Sequence, residues 1–334
     1  MGSQQFPAVW SVLTCDALVA QVLSRYHLDE TLTCEFMGAG LNDTYRVRSG
    51  ASTCYLRVYA HGWRERHDIG AEVELLNHLH RHELPVSYPI ATRDGDYIVP
   101  LNAYEGVRHA VLFSAAEGGP REENDGRSHG YGRLIAQVHV CADLIPTMSK
   151  RFHLDHEFLL DSPLRSLEPF LAHRRKDLDY LADIARSLRA RADELLSKEP
   201  PEYGICHGDP HIGNLHYRDD GAATLFDFDC FGYSWRALDL AILGGIQGDS
   251  GWNRKANANR TRRLNLAIQG YDDVRPLTDA EREAVKVFVP IVLISEMGVH
   301  AALAPRHGVG GLNDGYFDEY IGFIRNWIAY YKVL

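Results

Sequence analysis

The sequence predicts an α+β protein of two lobes, a small N-terminal lobe built on antiparallel sheet and a larger, mainly helical C-terminal lobe. Three observations carry that reading. The chain has 334 residues, more than the about 100–200 of a usual single domain. Short runs rich in Val, Thr and Tyr, punctuated by turn residues, fill the first third, whereas beyond Gly130 apolar residues recur at helical spacing. Between the two patterns residues 117–130 (EGGPREENDGRSHG) are polar and glycine-rich, the composition of a linker. The lobes are therefore placed at residues 1–116 and 117–334.

Residues 16–26 carry a helical pattern. Three strand patterns follow at 32–37, 44–48 and 53–59, separated by Gly38-Ala39-Gly40 and by Ser49-Gly50, residues that turns require. A helix is expected over 64–83, stopped by Pro85, because the residue before a proline is driven out of helical backbone. Strand-like runs at 86–91, 97–101 and 107–115 complete the small lobe. In the larger lobe periodic runs predict helices at 131–142, 164–172, 178–196, 237–246, 261–271, 279–303 and 315–331. Residues 203–229 interrupt them with two short strands around a polar loop. On the expected strand 224–229, Leu225, Asp227 and Asp229 share one face and Phe226 and Phe228 the other, so two carboxylates point the same way.

Composition excludes several classes of protein. With 45% apolar and 24% charged residues the chain is globular. Thirty-five Lys plus Arg against 45 Asp plus Glu give a net charge of −10, which repels a phosphate backbone and argues against a nucleic-acid partner. The longest apolar stretch, 287–295, is interrupted by Pro290 and is shorter than the ~20 residues of a membrane span, so no membrane partner is expected. Residues 1–6 lack a basic n-region and an apolar h-region, and the six cysteines stand far apart with no C-x-x-C. A cytoplasmic protein with reduced thiols that act as small hydrophobes is expected. No Gly precedes a Lys, no G-x-S-x-G occurs, Gly38-Ala39-Gly40 is an incomplete dinucleotide fingerprint, and His82-Glu83 and His156-Glu157 lack the second His of a zinc protease. The first lysine is Lys150. Any cation needed by the first lobe must come from Arg or His.

Residues 206–229 read CHGDPHIGNLHYRDDGAATLFDFD. His207, Asp209 and Asn214 have the spacing H-x-D-x-x-x-x-N, and a second carboxylate, Asp227, follows a short hairpin. Phosphoryl transfer needs such a set: one Asp orients and deprotonates the attacking hydroxyl, while an amide and a second Asp hold Mg²⁺ against the phosphates. His207, Asp209 and His211 also fit the ligands of a metal hydrolase, or a polar loop satisfied by its own backbone. The first lobe weighs on the choice. Arg57, on the third strand, is the candidate cation for nucleotide phosphates, and Glu72 stands one and two turns before Leu76 and Leu79, on the apolar stripe of the following helix. A carboxylate on a buried face needs a partner, and Arg57 supplies one.

Together these residues resemble the aminoglycoside phosphotransferase and choline kinase superfamily, a branch of the protein-kinase-like fold, over nearly the whole chain. The loop form H-G-D-x-H-x-x-N is present as His207-Gly208-Asp209-Pro210-His211-Ile212-Gly213-Asn214, and the D-F-D form with its downstream Y-x-x-R-x-x-D as Asp227-Phe228-Asp229, Tyr233, Arg236 and Asp239. Leu56-Arg57-Val58-Tyr59 is similar to the strand form L-x-R-x-Y of choline kinases, with Arg where aminoglycoside kinases carry Lys. The resemblance implies a two-lobed protein-kinase-like fold, ATP and Mg²⁺ as cofactors, Asp209 as catalytic base and Asn214 and Asp227 as metal ligands. It further implies that Asp239 braces the loop, that Gly38, Gly40 and Asn42 form the turn over the phosphates, and that residues 130–139 form a helix ending in His139. Arg57 and Glu72 then serve the nucleotide, and the hinge, placed by its position before the linker, falls at 112–116 and includes Phe113 and Ala115. The activity implied is transfer of the γ-phosphoryl to a hydroxyl of a small molecule of aminoglycoside, amino alcohol, homoserine or sugar type. Two other readings stand beside it, a protein Ser/Thr kinase resembling stress response kinase A and a nucleotide-binding pseudokinase, the latter opposed by the presence of Asp209, Asn214 and Asp227. Tyr316, Tyr320, Phe323, Trp327 and Tyr331 step at helical spacing and are read as a docking face to the core. His78, His80 and His82 are read as a solvated helix end. Asp314, Asp318 and Glu319, with the net charge, favour a cationic or polyhydroxylated acceptor.

Overall fold

The alternating pattern of the first third folds as an antiparallel meander. The structure, a computed structural model, describes residues 6–120, 124–145, 148, 150–245 and 252–334. The chain divides into two units, Met1–Ala116 with Thr147–Arg151, and Glu117–Pro146 with Phe152–Leu334.

The first unit holds helix α1 (Cys15–Gln21), strands β1 (Leu32–Ala39), β2 (Asp43–Ser49) and β3 (Ser52–Val58), helix α2 (Arg66–Arg81), and strands β4 (Pro89–Ile90), β5 (Val99–Ala103) and β6 (Gly106–Ser114). The sheet runs β1-β2-β3-β6-β4, with β5 also on β6. The strand period of two decides what each face carries. Tyr45, Val47, Leu56 and Val58 point with Leu112 into a core closed by Leu18, Val22 and Leu23, so Arg57, between Leu56 and Val58, lies on the opposite face. The expected strand at 86–91 shrinks to Pro89–Ile90, since two prolines within five residues leave few donors for a ladder.

A buried ion pair crosses the core side of this sheet. Arg108 donates from Nη2 to Asp43 Oδ2 at 2.6 Å, and both side chains are fully buried. Arg108 also donates to the carbonyls of Val58, Tyr59 and Ser11, and Trp10 Nε1 donates to Asp43, so the pair also ties residues 10–11 to the sheet. Removing Asp43 takes the nearer carboxylate from the buried Arg108 guanidinium and leaves it Glu105 at 3.4 Å. Asp43→Ala is expected to lower unfolding stability by about 3–5 kcal/mol, measured by urea denaturation. A change below about 1 kcal/mol, the scale of an exposed pair, would contradict the assignment.

The second unit contains helices α3 (Asp125–Ala142), α4 (Ser162–Leu167), α5 (Arg175–Leu195), α6 (Ala237–Ala241), α7 (Arg254–Asp272), α8 (Asp279–Ala302), α9 (Ala304–His307) and α10 (Asp314–Tyr331). Between α5 and α6 lie strands β7 (Tyr203–Cys206), β8 (Leu215–Tyr217), β9 (Ala223–Leu225) and β10 (Gly232–Trp235). β10 pairs with β7 and β8 with β9, both antiparallel. Helices α3 and α7 pack closely, and a Cβ at Gly132 would collide with the carbonyl of Ala267.

Part of the expected linker is helix. Asn124 accepts from Arg127 N at 3.0 Å and caps α3 at Asp125, while residues 121–123 lie outside the described residues. Asn and Asp are favoured both in loops and at helix starts, which is why composition misjudged the boundary. Ile246, the expected end of the 237–246 helix, also lies outside the described residues. α6 passes at Ala241 into a 3-10 turn, Ile242–Gly244.

α8 matches the expected 279–303 to within one residue: Thr278 and Glu281 form a capping box, and the helix continues through the buried Pro290. By length and composition it could cross a bilayer. Its apolar residues are instead buried against α4, α5, α6 and α10, as in the core helix of a globular unit. On α10, Tyr320, Phe323 and Trp327 are buried and Trp327 Nε1 donates to the Lys286 carbonyl at 2.9 Å, which makes that stripe a docking face. On α2, His78 is buried while His80 and His82 are exposed, so the solvated reading of this helix end is corrected at His78 and holds at the other two.

Candidate active site

The loop after β7 is held by its backbone. Gly208 has φ +82°, and a Cβ there would run into the Cys230 carbonyl, so only glycine fits between His207 and Asp209. Asp239, fully buried at the start of α6, accepts from His207 N at 2.7 Å and from Gly208 N at 2.9 Å. Its second neighbour is His139, near the end of α3, with Nε2 2.9 Å from Asp239 Oδ2 and Nδ1 2.8 Å from Tyr271 Oη. A carboxylate only accepts, so Nε2 carries the imidazole proton and Nδ1 accepts from the tyrosine. Burial pushes His139 below its ordinary value. Burial alone would raise Asp239, but the His139 hydrogen bond and then the Gly208 N–H outweigh it and hold the carboxyl below its usual range. The pair is a neutral imidazole donating to a carboxylate.

These directions fix a pH dependence. Stability from the neutral, buried His139 is fully present above about pH 6.5 and is lost as pH falls toward its lower folded value; stability from Asp239 is present above about 3.8 and is lost as pH falls through its own lower value. Thermal melts are expected to be level from pH 8 to 7 and to decline below about 6.5, less steeply in His139→Asn. An unchanged slope in the variant would count against the pairing.

Beyond Gly208 the loop carries the partly exposed Asp209 and the buried Asn214. His207 is buried and neutral-leaning, its pKa lowered first by burial. Its Nε2 faces the Phe226 carbonyl at 3.1 Å, and Nδ1 accepts from Asp209 N at 3.3 Å. Asn214 closes the loop by donating from Nδ2 to the Asp209 carbonyl at 2.9 Å, which turns its amide oxygen away from that contact. Asp227 follows β9 in the left-handed region, φ 65° and ψ 61°, a conformation that costs a non-glycine residue energy and clusters at functional sites.

This backbone corrects the expected strand. β9 ends at Leu225 and Phe228–Cys230 form a 3-10 turn, so the strand alternation stops before the acidic residues. Asp227 is exposed while Asp229 is buried, and the two carboxylates do not share a face. Asp209 has an affinity for its proton raised well above the usual carboxyl value, by burial first and then by the charges of Asp227, Glu296, Asp239 and Asp229. Its side chain still keeps 43% of its surface accessible, so solvent screens part of that shift.

In the first unit Arg57 Nη1 donates to Glu72 Oε1 at 2.7 Å, and Tyr59 Oη donates to Glu72 Oε2 at 2.7 Å. Glu72 is 1% exposed, and the Arg57 guanidinium lies 4.8 Å from the centroid of the Phe113 ring. The structure thus brings Arg57, Glu72 and Phe113 together. Phe113 is a buried β6 residue, and Ala115 follows the end of that strand at Ser114. Gly38, Gly40 and Asn42 lie at the β1–β2 turn, where Gly40 N donates to the Asn42 carbonyl at 2.9 Å. Space for a Cβ is open at Gly38. Asn42 is buried and its Oδ1 accepts from Ala60 N at 3.1 Å.

In the second unit Asp209 and Asn214 share one loop, and Asp227 lies beyond the β8–β9 hairpin, next to Phe226, whose N–H donates to the Asn214 carbonyl at 3.0 Å. Sequence reasoning missed the Tyr271 and Tyr131 contacts of the brace, in which Tyr131 Oη donates to the Asp239 carbonyl at 2.8 Å. It also missed Glu296, whose charge reaches Asp209. A carboxylate between Ile294 and Met297 of an otherwise apolar helix was the available signal.

Comparison with known proteins identifies the family. A protein of Deinococcus radiodurans is 34% identical over 97% of this chain and 93% of its own length. A homoserine kinase of Granulibacter bethesdensis is 24% identical over 84% of this chain and 83% of its own. The microcompartment-associated aminopropanol kinase, at 20% identity, superposes with a TM-score of 0.74 over 96% of this chain and 99% of that one, and the fold is protein-kinase-like. The model of the phosphotransferase enzyme family matches residues 34–277, most of the chain, so this protein is a phosphotransferase and belongs to that family.

Proposed function

We propose that the protein moves the γ-phosphoryl group of ATP, with Mg²⁺, to a hydroxyl of a small molecule. The observation that carries this reading is the pairing of Asp209 and Asn214 on a loop whose two leading N–H groups are clamped by Asp239, with Asp227 at the end of the hairpin that follows. The donor chemistry fits the metal: an amide oxygen and a carboxylate are the hard ligands Mg²⁺ prefers, and the carboxylate crowding that raises Asp209 is what a cation relieves. Asn214 and Asp227 are assigned as its holders. When bound, Mg²⁺ neutralises charge on the transferring phosphoryl group.

The other roles fall to the chain itself. Asp209 accepts the proton of the acceptor hydroxyl as the oxygen attacks the γ-phosphorus and the bond to the β-phosphate oxygen breaks, releasing ADP. Arg57, held by Glu72, is assigned to the nucleotide phosphates; its fixed charge and planar fork suit that task as well as a lysine would. Gly38, Gly40 and Asn42 are assigned to the phosphate turn, and Phe113 and Ala115 to the nucleotide. The first unit then serves the nucleotide and the second the base, metal and acceptor. A small-molecule acceptor is supported by relatives named as homoserine kinases and amicoumacin kinase.

The test is ATP consumption by purified protein with Mg²⁺ against amino alcohols, aminoglycosides, nucleosides and sugars, with a generic basic protein in parallel. Turnover with a small molecule is expected. Phosphate transfer to protein hydroxyls alone would replace this reading with that of a protein kinase.

A further inference from the structure

The helix that carries Glu72 is gripped at its first turn by a residue from much later in the chain. Arg151 closes the Thr147–Arg151 segment that belongs to the first unit. Its side chain is fully buried, and Nη1 donates to the Asp68 carbonyl at 3.0 Å and lies 3.5 Å from Asp68 Oδ1. Asp68 is the third residue of α2, and its Oδ2 accepts from Glu65 N at 3.1 Å. A contact between residues 83 positions apart therefore falls on the cap of this helix.

The start of a helix is an unfavourable place for a cation, because the free N–H groups there carry partial positive charge. Burying a guanidinium adds a desolvation cost unless it is paired. Asp68 answers both, since its carboxylate suits the helix start and pairs the cation. The bond to the Asp68 carbonyl does something further. Helical geometry makes that carbonyl the acceptor for the N–H of Glu72, four residues on, so Arg151 holds the peptide group to which the Glu72 backbone is bonded. Glu72 tolerates little displacement: its two oxygens accept from Arg57 Nη1 and Tyr59 Oη, each at 2.7 Å, and it is 1% exposed. Hydrogen bonds of that length weaken steeply when their angles change.

We infer that Arg151 is a positioning residue for the nucleotide: through Asp68 it fixes the first turn of α2 and so keeps Glu72 where it holds the Arg57 guanidinium. The inference rests on the assignment of Arg57 to the nucleotide phosphates made above. Arg151 acts through Asp68, Glu72 and Arg57 in turn, so its loss is felt in nucleotide affinity.

The experiment titrates Mg·ATP calorimetrically into the full chain for wild type, Arg151→Met, Arg151→Lys, Glu72→Gln and the double variant Arg151→Met with Glu72→Gln, with urea midpoints measured on the same preparations. Methionine fills the place of the buried stem and removes the donors. Arg151→Met is expected to raise the Kd of Mg·ATP about 10-fold, the scale of one charge-assisted hydrogen bond, and Arg151→Lys, which keeps the charge and one donor, by less. Glu72→Gln, which loosens Arg57 directly, is expected to raise it at least as much. Both substitutions act on the same guanidinium, so the double variant should bind within about twofold of Glu72→Gln alone. A tie that serves stability only would lower the urea midpoint and leave the Kd of the folded protein unchanged. That result, an unmoved Kd in Glu72→Gln, or fully additive effects in the double variant would each overturn the inference. If Arg151→Met does not fold, Asp68→Asn decides, because it keeps the helix carbonyl and an acceptor for Glu65 N and removes only the charge: a Kd raised several-fold supports the inference and an unmoved Kd overturns it. Failure of the wild type to bind Mg·ATP would instead overturn the nucleotide assignment, and this inference with it.

Discussion

Asp209→Asn is expected to reduce phosphoryl transfer by about 10²–10⁴-fold, the usual contribution of a positioned general base, while leaving Mg·ATP affinity close to wild type. The amide keeps the size of the side chain, and the backbone contacts of this loop go through the Asp209 carbonyl and N–H, which the substitution does not touch. Asp227→Ala is expected to behave differently. It removes an assigned metal holder, so the apparent Kd of Mg·ATP rises together with the loss of turnover. Steady-state kinetics alongside calorimetric titration separates the two. A variant Asp209→Asn that turns over at the wild-type rate would show that the proton goes elsewhere.

The second large effect is expected at Asp239. Its two oxygens serve His207 N, Gly208 N and His139 Nε2, all in the buried interior. Asp239→Ala leaves those donors without an acceptor, and breaking a buried, hydrogen-bonded network of this kind costs about 3–5 kcal/mol. The loss should appear as a lower urea midpoint at unchanged m-value. It should also appear as a fall in kcat larger than the fall in folded fraction explains, because the loop that carries Asp209 is no longer clamped. A folded Asp239→Ala with wild-type kcat would remove the brace from the account.

Much of this site was legible because its spacing is local. The run from His207 to Asn214 folds within a single loop, and the imidazole, amide and carboxylate chemistry it offers depends on few distant residues. Glu72 was legible for another reason: a carboxylate on an apolar stripe requires a cation, and Arg57 was the polar residue between Leu56 and Val58. The strand meander was legible from turn residues between alternating runs. What could not be read depends on tertiary contacts. Nothing in Asp227-Phe228-Asp229 announces a left-handed backbone at its first residue, so the strand was extended too far and the two carboxylates were placed on one face. β10 was missed because Gly232–Trp235 becomes a strand by pairing with β7, some 30 residues earlier by its register of Gly232 to Cys206 and Trp235 to Tyr203. Glu296 acquires its partner only when α10 brings Tyr320 against α8. The start of α3 was hidden because its cap, Asn124, looks like the loop it ends.

The central claim is that the Asp209 loop moves the γ-phosphoryl of ATP onto a small-molecule hydroxyl. Its most direct test is the fate of label from [γ-³²P]ATP, with Mg²⁺ and a mixture of amino alcohols, aminoglycosides, nucleosides and sugars, for wild type and Asp209→Asn side by side. The account predicts label in a small organic phosphate ester with the wild type and none above background with the variant. Label found only in inorganic phosphate or in protein, or an ester formed equally by Asp209→Asn, would contradict it.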